Sequence, residues 1–158
     1  MEPIKEVVLE RTYDAPPETL WQAWTDPERI KQWWGPKNVT IPECEVDLRV
    51  GGKIYIVMEA GEAMGQYKGT QWPMLGEFTV VEPNSKLAYN AKAWTEGAKE
   101  ETTIDQTTEL TLIKDGDKTR VKIKATILKA GPGAKMATEG MKYGFTEQLE
   151  KLNNFLER

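Results

Sequence analysis

The chain has 158 residues, of which 39% are hydrophobic and 29% charged, with six Trp, one Cys and no His. This length suits one domain, and a lone Cys44 excludes an internal disulfide, so we expect a single domain over residues 1–158 in a reducing cytoplasm. The absence of His removes the commonest general base and transition-metal ligand, which excludes Ser-His-Asp triads, Cys-His pairs and the usual zinc sites.

The charge balance narrows the possible partners. Twenty-one Lys and Arg against 25 Asp and Glu give a net charge of -4, the wrong sign for a nucleic-acid binder that must neutralise phosphates. No basic segment precedes an apolar one at the N-terminus, and no run approaches about 18 apolar residues. We therefore expect a cytoplasmic protein without membrane insertion. The sequence also lacks a Walker-type phosphate loop and an EF-hand pattern, and we predict no cofactor and no metal.

The first third of the chain predicts a strand followed by two short helices. Residues 7–13 combine β-branched and apolar residues in a charged frame, which is typical of a strand. Pro17 suits the first position of a helix whose apolar residues recur at helical spacing as far as Trp24. Asp26 suits the N-cap of a second helix, which Gly35-Pro36 ends.

From residue 39 onward the hydrophobic period changes to two, which predicts strands. The first of them places three apolar residues opposite three acidic ones: Cys44, Val46 and Leu48 against Glu43, Glu45 and Asp47. Further strands are predicted at 53–59, 75–82, 86–95, 104–114 and 118–128. A glycine-rich stretch over 60–73 predicts a long loop, and a mobile lid that includes Met64 is one hypothesis for it.

The last segment predicts one long amphipathic helix. Gly131-Pro132-Gly133 breaks the sheet, and apolar residues then recur at spacings of three and four: Met141, Phe145, Leu149, Leu152, Phe155 and Leu156. One strand, two short helices, six consecutive antiparallel strands and a terminal helix indicate an α+β domain in which a curved sheet wraps the last helix.

A family resemblance rests on the helix pair. Residues 21–28, Trp-Gln-Ala-Trp-Thr-Asp-Pro-Glu, followed by Trp33-Trp34-Gly35-Pro36, resemble the family named for activators of heat-shock-protein-90 ATPase, within the START-like or birch-allergen-like (SRPBCC) helix-grip superfamily. The stretches 47–52, 76–83 and 144–152 agree with this family, except that Phe145 stands where Trp is usual. The resemblance implies a seven-stranded antiparallel sheet around a long C-terminal helix, two short helices between strands 1 and 2, and a cavity that in the superfamily commonly holds lipids, sterols or polyketides.

The predicted ligand-binding residues come from the inner faces and from the helix pair: Trp33, Met58, Phe78, Tyr89, Met141 and Phe145. Adjacent residues point about 100° apart on a helix, so only one of Trp33 and Trp34 is expected to face the core, and the other to line the cavity rim. Tyr89 and Gln148 are candidates to orient a ligand. Packing alone is the alternative explanation for Met58 and Met141. No catalytic residue is predicted, because Cys44 is expected to be buried and the acidic strand face to be solvated.

Three functions remain open at this level. The first is non-catalytic binding of a small hydrophobic or aromatic molecule. The second, implied by the family resemblance, is a chaperone cofactor that stimulates the heat-shock-protein-90 ATPase. The third is an enzyme of the polyketide cyclase or aromatase kind, for which Tyr89 is the clearest candidate. The sequence leaves the oligomeric state open.

Overall fold

Seven antiparallel strands form a single sheet in the computed structural model, which describes residues 5–157. The strands are β1 Lys5–Tyr13, β2 Val39–Val46, β3 Lys53–Ala60, β4 Gln71–Glu82, β5 Lys86–Ala93, β6 Ile104–Asp115 and β7 Lys118–Ala130. Their order in the sheet is β1-β7-β6-β5-β4-β3-β2, so six consecutive strands form a meander and β1 closes on β7. Together with the C-terminal helix described below, this arrangement confirms the predicted α+β helix-grip fold.

The two predicted short helices lie between β1 and β2. Helix α1 spans Pro17–Thr25 and helix α2 spans Pro27–Trp33, each with Pro in its first turn. The Asp26 side chain caps α2 by accepting a hydrogen bond from the Glu28 N–H at 3.0 Å, as the sequence predicted. The helix pair packs against the sheet through buried Leu20, Ile30 and the tryptophans.

The C-terminal segment is helical, but it is interrupted. A short 3-10 turn, Pro132–Ala134, leads into helix α4, Lys135–Glu139, and Gly140 separates α4 from helix α5, Met141–Leu156. The prediction of one continuous helix is therefore wrong at Gly140, where glycine is the poorest non-proline helix former. A further four-residue helix, α3 Lys99–Thr102, precedes β6 and had no counterpart in the sequence prediction.

Several strand boundaries differ from the prediction, and two of these differences change the positions of named residues. The expected loop over 60–73 is shorter, because a 3-10 segment spans Glu62–Tyr67 and β4 already begins at Gln71, with Pro73 paired opposite Val57. Leu48 does not share the buried face of β2. The strand ends at Val46, and Leu48 is 40% exposed in the turn that leads to β3.

β2 is an edge strand with an irregular register. Its pairing with β3 shifts between Thr40 and Glu43, a stretch that includes Pro42. Proline cannot donate a ladder hydrogen bond, so it is tolerated at sheet edges and bulges. Beyond this irregularity Cys44 is buried, while Glu43 and Glu45 are exposed, which agrees with the predicted solvated face.

The hydrophobic core lies between the concave face of the sheet and α5. Leu149 and Leu152 of α5 are buried there, and Val121 and Ile123 of β7 face them from the sheet side of the core. The alternate positions of β7, among them Arg120 and Lys122, are exposed on the convex face. The α5 helix is thus gripped along its C-terminal half, and the space left beside its N-terminal half forms a cavity.

Candidate functional site

A cavity of about 420 Å³ lies between the concave sheet face and the C-terminal helices. This volume is within the range of small-molecule sites. One cross-strand row forms its floor: Ile56 of β3 pairs with Met74, Met74 pairs with Ala93, and Ala93 pairs with Ile104. All four residues line the cavity, so the register of four strands determines the shape of this wall.

The opposite wall comes from the helical segment and contains both small and large residues. The small ones are Gly133, Ala134, Ala137, Gly140 and Gly144, and the larger ones are Met141, Phe145 and Gln148. A Cβ atom added at Gly144 would find no atom within 4 Å. Because glycine inside a helix is about 1 kcal/mol less favourable than alanine, this position sacrifices helix stability and leaves open space.

Aromatic rings and thioethers dominate the lining. The aromatic residues are Trp34, Trp72, Tyr89, Trp94 and Phe145, and the thioethers belong to Met58, Met64, Met74 and Met141. No Lys, Arg, Asp or Glu is among the lining residues in the described chain, 5–157. Lys99 and Lys151 are outside the lining but contact lining residues: Lys99 Nζ lies 4.3 Å from the centroid of the Trp94 ring, and Lys151 Nζ donates to the carbonyls of Trp34 and Pro36. Such a surface favours apolar guests and penalises buried charge.

Few polar side chains reach the cavity. Burial raises the pKa of Tyr89 to about 12, so its hydroxyl keeps its proton at neutral pH. Gln106 of β6 has only a weak acceptor, the Met74 sulfur at 3.6 Å from Nε2. Thr102 is already used within the chain, because its hydroxyl donates to the Ala98 carbonyl and accepts from the Thr95 N–H.

The cavity wall at residues 34–36 is fixed to α5 by two side chains one helical turn apart. Gln148 Oε1 accepts a hydrogen bond from the Gly35 N–H at 3.1 Å. Lys151 Nζ donates to the Trp34 carbonyl at 2.9 Å and to the Pro36 carbonyl at 3.3 Å, and burial lowers the pKa of this amine. Both Trp34 and Pro36 line the cavity, so these contacts hold one of its walls in place.

Gly35 itself is required by the close packing beside this wall. Its φ of +85° lies in the left-handed region, and an added Cβ would stand 2.7 Å from Val39 Cγ2 and 3.0 Å from Met58 Sδ. Glycine avoids both the backbone strain and the overlap. The helix pair and the sheet can therefore approach each other here, beside the cavity.

Four of the six predicted site residues line the cavity: Met58, Tyr89, Met141 and Phe145. Trp33 and Phe78 do not. Trp33 is fully buried, with its Nε1 donating to the Ala23 carbonyl at 2.9 Å. Phe78 is buried behind the cavity wall and packs edge-on against Tyr89, with ring centroids 6.1 Å apart. Ligand binding by the four lining residues stays a prediction.

The expectation for the adjacent tryptophans is wrong in one respect, because both are buried. Trp34 follows the last residue of α2 and has an extended backbone, with φ -63° and ψ 149°, so helical geometry does not separate the two side chains. Their ring centroids lie 5.5 Å apart, and Trp34, rather than Trp33, lines the cavity. Trp24 packs on both rings.

Other lining residues were not predicted, and some carried a recognisable pattern. Trp72 was assigned to a loop, although it shares the two-residue alternation of Met74. Gly140 and Gly144 interrupt an otherwise apolar helix stripe, which is itself an indication of open space. Gln106 shares the two-residue alternation of Ile104 and Leu110, which is a signal that could have identified it, whereas Trp94 lies just beyond the end of β5.

The remaining candidate groups have structural explanations. Burial raises the pKa of Cys44 to about 11, as expected for a small core side chain rather than a nucleophile. Within residues 5–157, no group of three His, Cys, Asp or Glu side chains is placed to hold a metal ion. In the same range, every helix is too short or too polar to cross a bilayer.

Comparison with known proteins identifies a family and several similar solved structures. The family model described as "Activator of Hsp90 ATPase homolog 1-like protein" matches residues 14–157. No curated protein matches the sequence. Among solved structures, the chain is similar to a Nitrosomonas europaea protein at 25% identity, covering 96% of this chain and 94% of that one, with a TM-score of 0.75.

Two further solved structures are similar over nearly the whole chain. A Mesorhizobium loti protein is 25% identical, with 98% of each chain covered and a TM-score of 0.71. A solution structure from Arthrobacter aurescens is also 25% identical, covers 96% of this chain and 86% of that one, and has a TM-score of 0.76. The fold described above is thus shared over most of the length of these proteins.

Proposed function

The chain belongs to the activator of Hsp90 ATPase homolog 1-like family, and from this membership and its cavity we propose that it is a non-catalytic binding protein for a small hydrophobic or aromatic molecule. The observation that carries the proposal is the uncharged lining of the 420 Å³ cavity. Burial of apolar ligand surface against aromatic rings and thioethers supplies affinity of about 25 cal/mol per Å² before the costs of association.

The helical wall supports binding over simple core filling. Gly144 lies between Met141 and Gln148 on the cavity face of α5, where a larger side chain would meet open space. A core under selection for packing alone gains about 1 kcal/mol from Ala at such a position. The glycine at this position therefore supports a cavity that is kept open for a ligand.

The titratable groups in the lining favour binding over acid-base catalysis. Among the lining residues of the described chain, Tyr89 is the one with a titratable side chain. With its pKa at about 12, it can donate a hydrogen bond but is a poor base at neutral pH. A polyketide cyclase or aromatase reaction would have to use this hydroxyl as a donor.

The experiment compares the wild-type protein with a variant whose cavity is filled. Nile red, a neutral apolar dye, is titrated into the wild-type protein, Gly144→Leu and Lys142→Leu, and its emission is measured. The wild-type protein should bind the dye saturably at one site, and Gly144→Leu should bind it roughly tenfold or more weakly, because the leucine occupies the cavity. Lys142 is exposed on the same helix and outside the lining, so its replacement is the matched control and should leave binding unchanged.

Two outcomes would overturn the proposal. One is a wild-type protein that binds no dye and carries no small molecule in native mass spectrometry after purification from its host. The other is unchanged affinity in Gly144→Leu, which would place the dye elsewhere. Stimulation of the heat-shock-protein-90 ATPase remains a separate prediction from the family name, tested by chaperone ATP turnover with and without this protein.

A further inference from the structure

One buried amide on the helical wall has an unused hydrogen-bond donor. Gln148 lines the cavity and is only 5% exposed. Its Oε1 accepts from the Gly35 N–H, and this contact fixes which end of the amide is oxygen and which is nitrogen. Nε2 is shielded from water and has no hydrogen-bond partner in the described part of the chain. A buried donor without an acceptor is unfavourable, so an acceptor supplied by a bound molecule would be stabilising.

A second amide, on the sheet wall, also lacks a good acceptor for its N–H group. Gln106 is 8% exposed, and the recorded acceptor for its Nε2 is the Met74 thioether at 3.6 Å. Sulfur is a weak acceptor compared with oxygen. The polar groups of the lining therefore include N–H donors on opposite walls, together with the protonated Tyr89 hydroxyl, the Gln106 amide oxygen and the hydroxyls of Thr95 and Thr102.

The absence of charged residues from the lining in the described chain restricts which ligands can accept hydrogen bonds from these donors. A carboxylate or phosphate would lose its hydration in the cavity, and no cationic side chain lines it within residues 5–157. An unpaired buried anion is strongly disfavoured, whereas a neutral carbonyl needs only one or two donors. The arrangement therefore discriminates between ligands of similar size by their charge.

We propose that the cavity takes a neutral, largely apolar molecule with a carbonyl oxygen, such as a ketone, ester or amide. Gln148 Nε2 has almost no exposed surface, so it meets that oxygen after a small shift of the side chains that cover it, and it then donates a hydrogen bond to the ligand. This inference rests on the proposed binding function and specifies its ligand class. Gln148 would then serve two purposes through one amide, with Oε1 holding residues 34–36 and Nε2 orienting the ligand.

Two isosteric probes test the donor. Acetylnaphthalene carries a carbonyl where isopropenylnaphthalene carries a methylene group of nearly the same shape, and naphthoate adds a negative charge. Calorimetric titration of the wild-type protein should give roughly five- to tenfold tighter binding of the ketone than of the hydrocarbon, the value of one neutral hydrogen bond. Naphthoate should bind more weakly than either.

Two variants locate the donor. Gln148→Met should abolish the preference for the ketone while the hydrocarbon still binds, which also shows that the cavity remains formed. Gln106→Met removes the other amide of the lining and should keep the preference. Gln32→Met, at an exposed glutamine of α2 outside the lining, is the matched control for the substitution itself and should also keep it. The carbonyl stretching frequency of the ketone bound to the wild-type protein provides a readout that needs no variant, and it should be lower than in a hydrocarbon solvent.

The outcomes separate this inference from the proposed function. Equal binding of ketone and hydrocarbon to the wild-type protein, or a bound carbonyl frequency equal to that in hydrocarbon, would overturn the donor role and leave apolar binding in place. Loss of the preference in Gln106→Met but not in Gln148→Met would overturn the assignment to Gln148. Failure of every probe to bind would overturn the proposed function and this inference with it.

Discussion

Adding one methyl group at Gly35 is expected to lower the free energy of unfolding by about 2–4 kcal/mol. An alanine at a φ of +85° would carry left-handed backbone strain of roughly 1–2 kcal/mol. Its Cβ, 2.7 Å from Val39 Cγ2 and 3.0 Å from Met58 Sδ, would add overpacking of roughly 1–3 kcal/mol. The lower entropy of the unfolded alanine chain would offset up to about 1 kcal/mol, so the sum spans about 1–5 kcal/mol and the expected value lies in the middle of that range.

The same substitution at Gly144 should have the opposite effect. Gly144 lies inside α5, and its added Cβ would find nothing within 4 Å. Alanine should therefore stabilise the protein by up to about 1 kcal/mol through helix propensity. Two glycines of one chain thus form a matched pair in which the chemical change is identical and the surroundings differ.

Urea denaturation followed by tryptophan emission measures both variants. Unchanged m-values would show that the two-state comparison holds. For a domain of this size roughly 3 °C corresponds to 1 kcal/mol, so the melting temperature should fall by roughly 6–12 °C in Gly35→Ala and rise by up to roughly 3 °C in Gly144→Ala. A Gly35→Ala variant within about 0.5 kcal/mol of wild type, or a Gly144→Ala variant as unstable as Gly35→Ala, would refute the reasoning.

The other predictions concern buried titratable groups. Burial raises the folded-state pKa of Tyr89 from 10.0 to about 12, so the stability contributed by the protonated hydroxyl is complete below pH 10 and is lost as the pH rises through about 12. Between pH 9 and 12, the free energy of unfolding of Tyr89→Phe should therefore fall by roughly 2 kcal/mol less than that of the wild-type protein, as measured by urea titrations at each pH. Parallel losses in both proteins would contradict this, since the raised pKa of Tyr13 acts equally in each. Cys44, 8% exposed and with a pKa of about 11, should react with a disulfide reagent on the order of 100-fold more slowly in the native protein than in denaturing urea, and equal rates would show that it is accessible.

The sequence was most informative where local chemistry determines the backbone. The Asp26-Pro27 pair predicted the start of α2, and the two-residue alternation of β7 predicted its buried face. These features depend on a few neighbouring residues, so they can be recognised without knowledge of the rest of the chain. The order of β2 to β7 followed from their succession as hairpins, whereas the pairing of β1 with β7 joins the two ends of the chain's strand order and is not a hairpin.

The candidate site was harder to predict, because it depends on contacts between distant segments. Trp34 lines the cavity because the backbone leaves the helical conformation one residue earlier than the pattern suggested. Trp94 lines the cavity although it lies just beyond β5, where strand alternation no longer predicts the direction of a side chain. The hydrogen bond between Gly35 and Gln148 joins residues 113 positions apart, and no local propensity encodes it.

The irregular outer strand β2 also affects how the molecule behaves at high concentration. A regular edge strand offers a row of free backbone donors and acceptors, on which the strand of a neighbouring molecule can add. In β2, Pro42 removes one donor, the adjacent shift in register bends the strand, and Glu43 and Glu45 place negative charge on it. This edge is therefore a poor template for strand addition, which should oppose the growth of the sheet at β2.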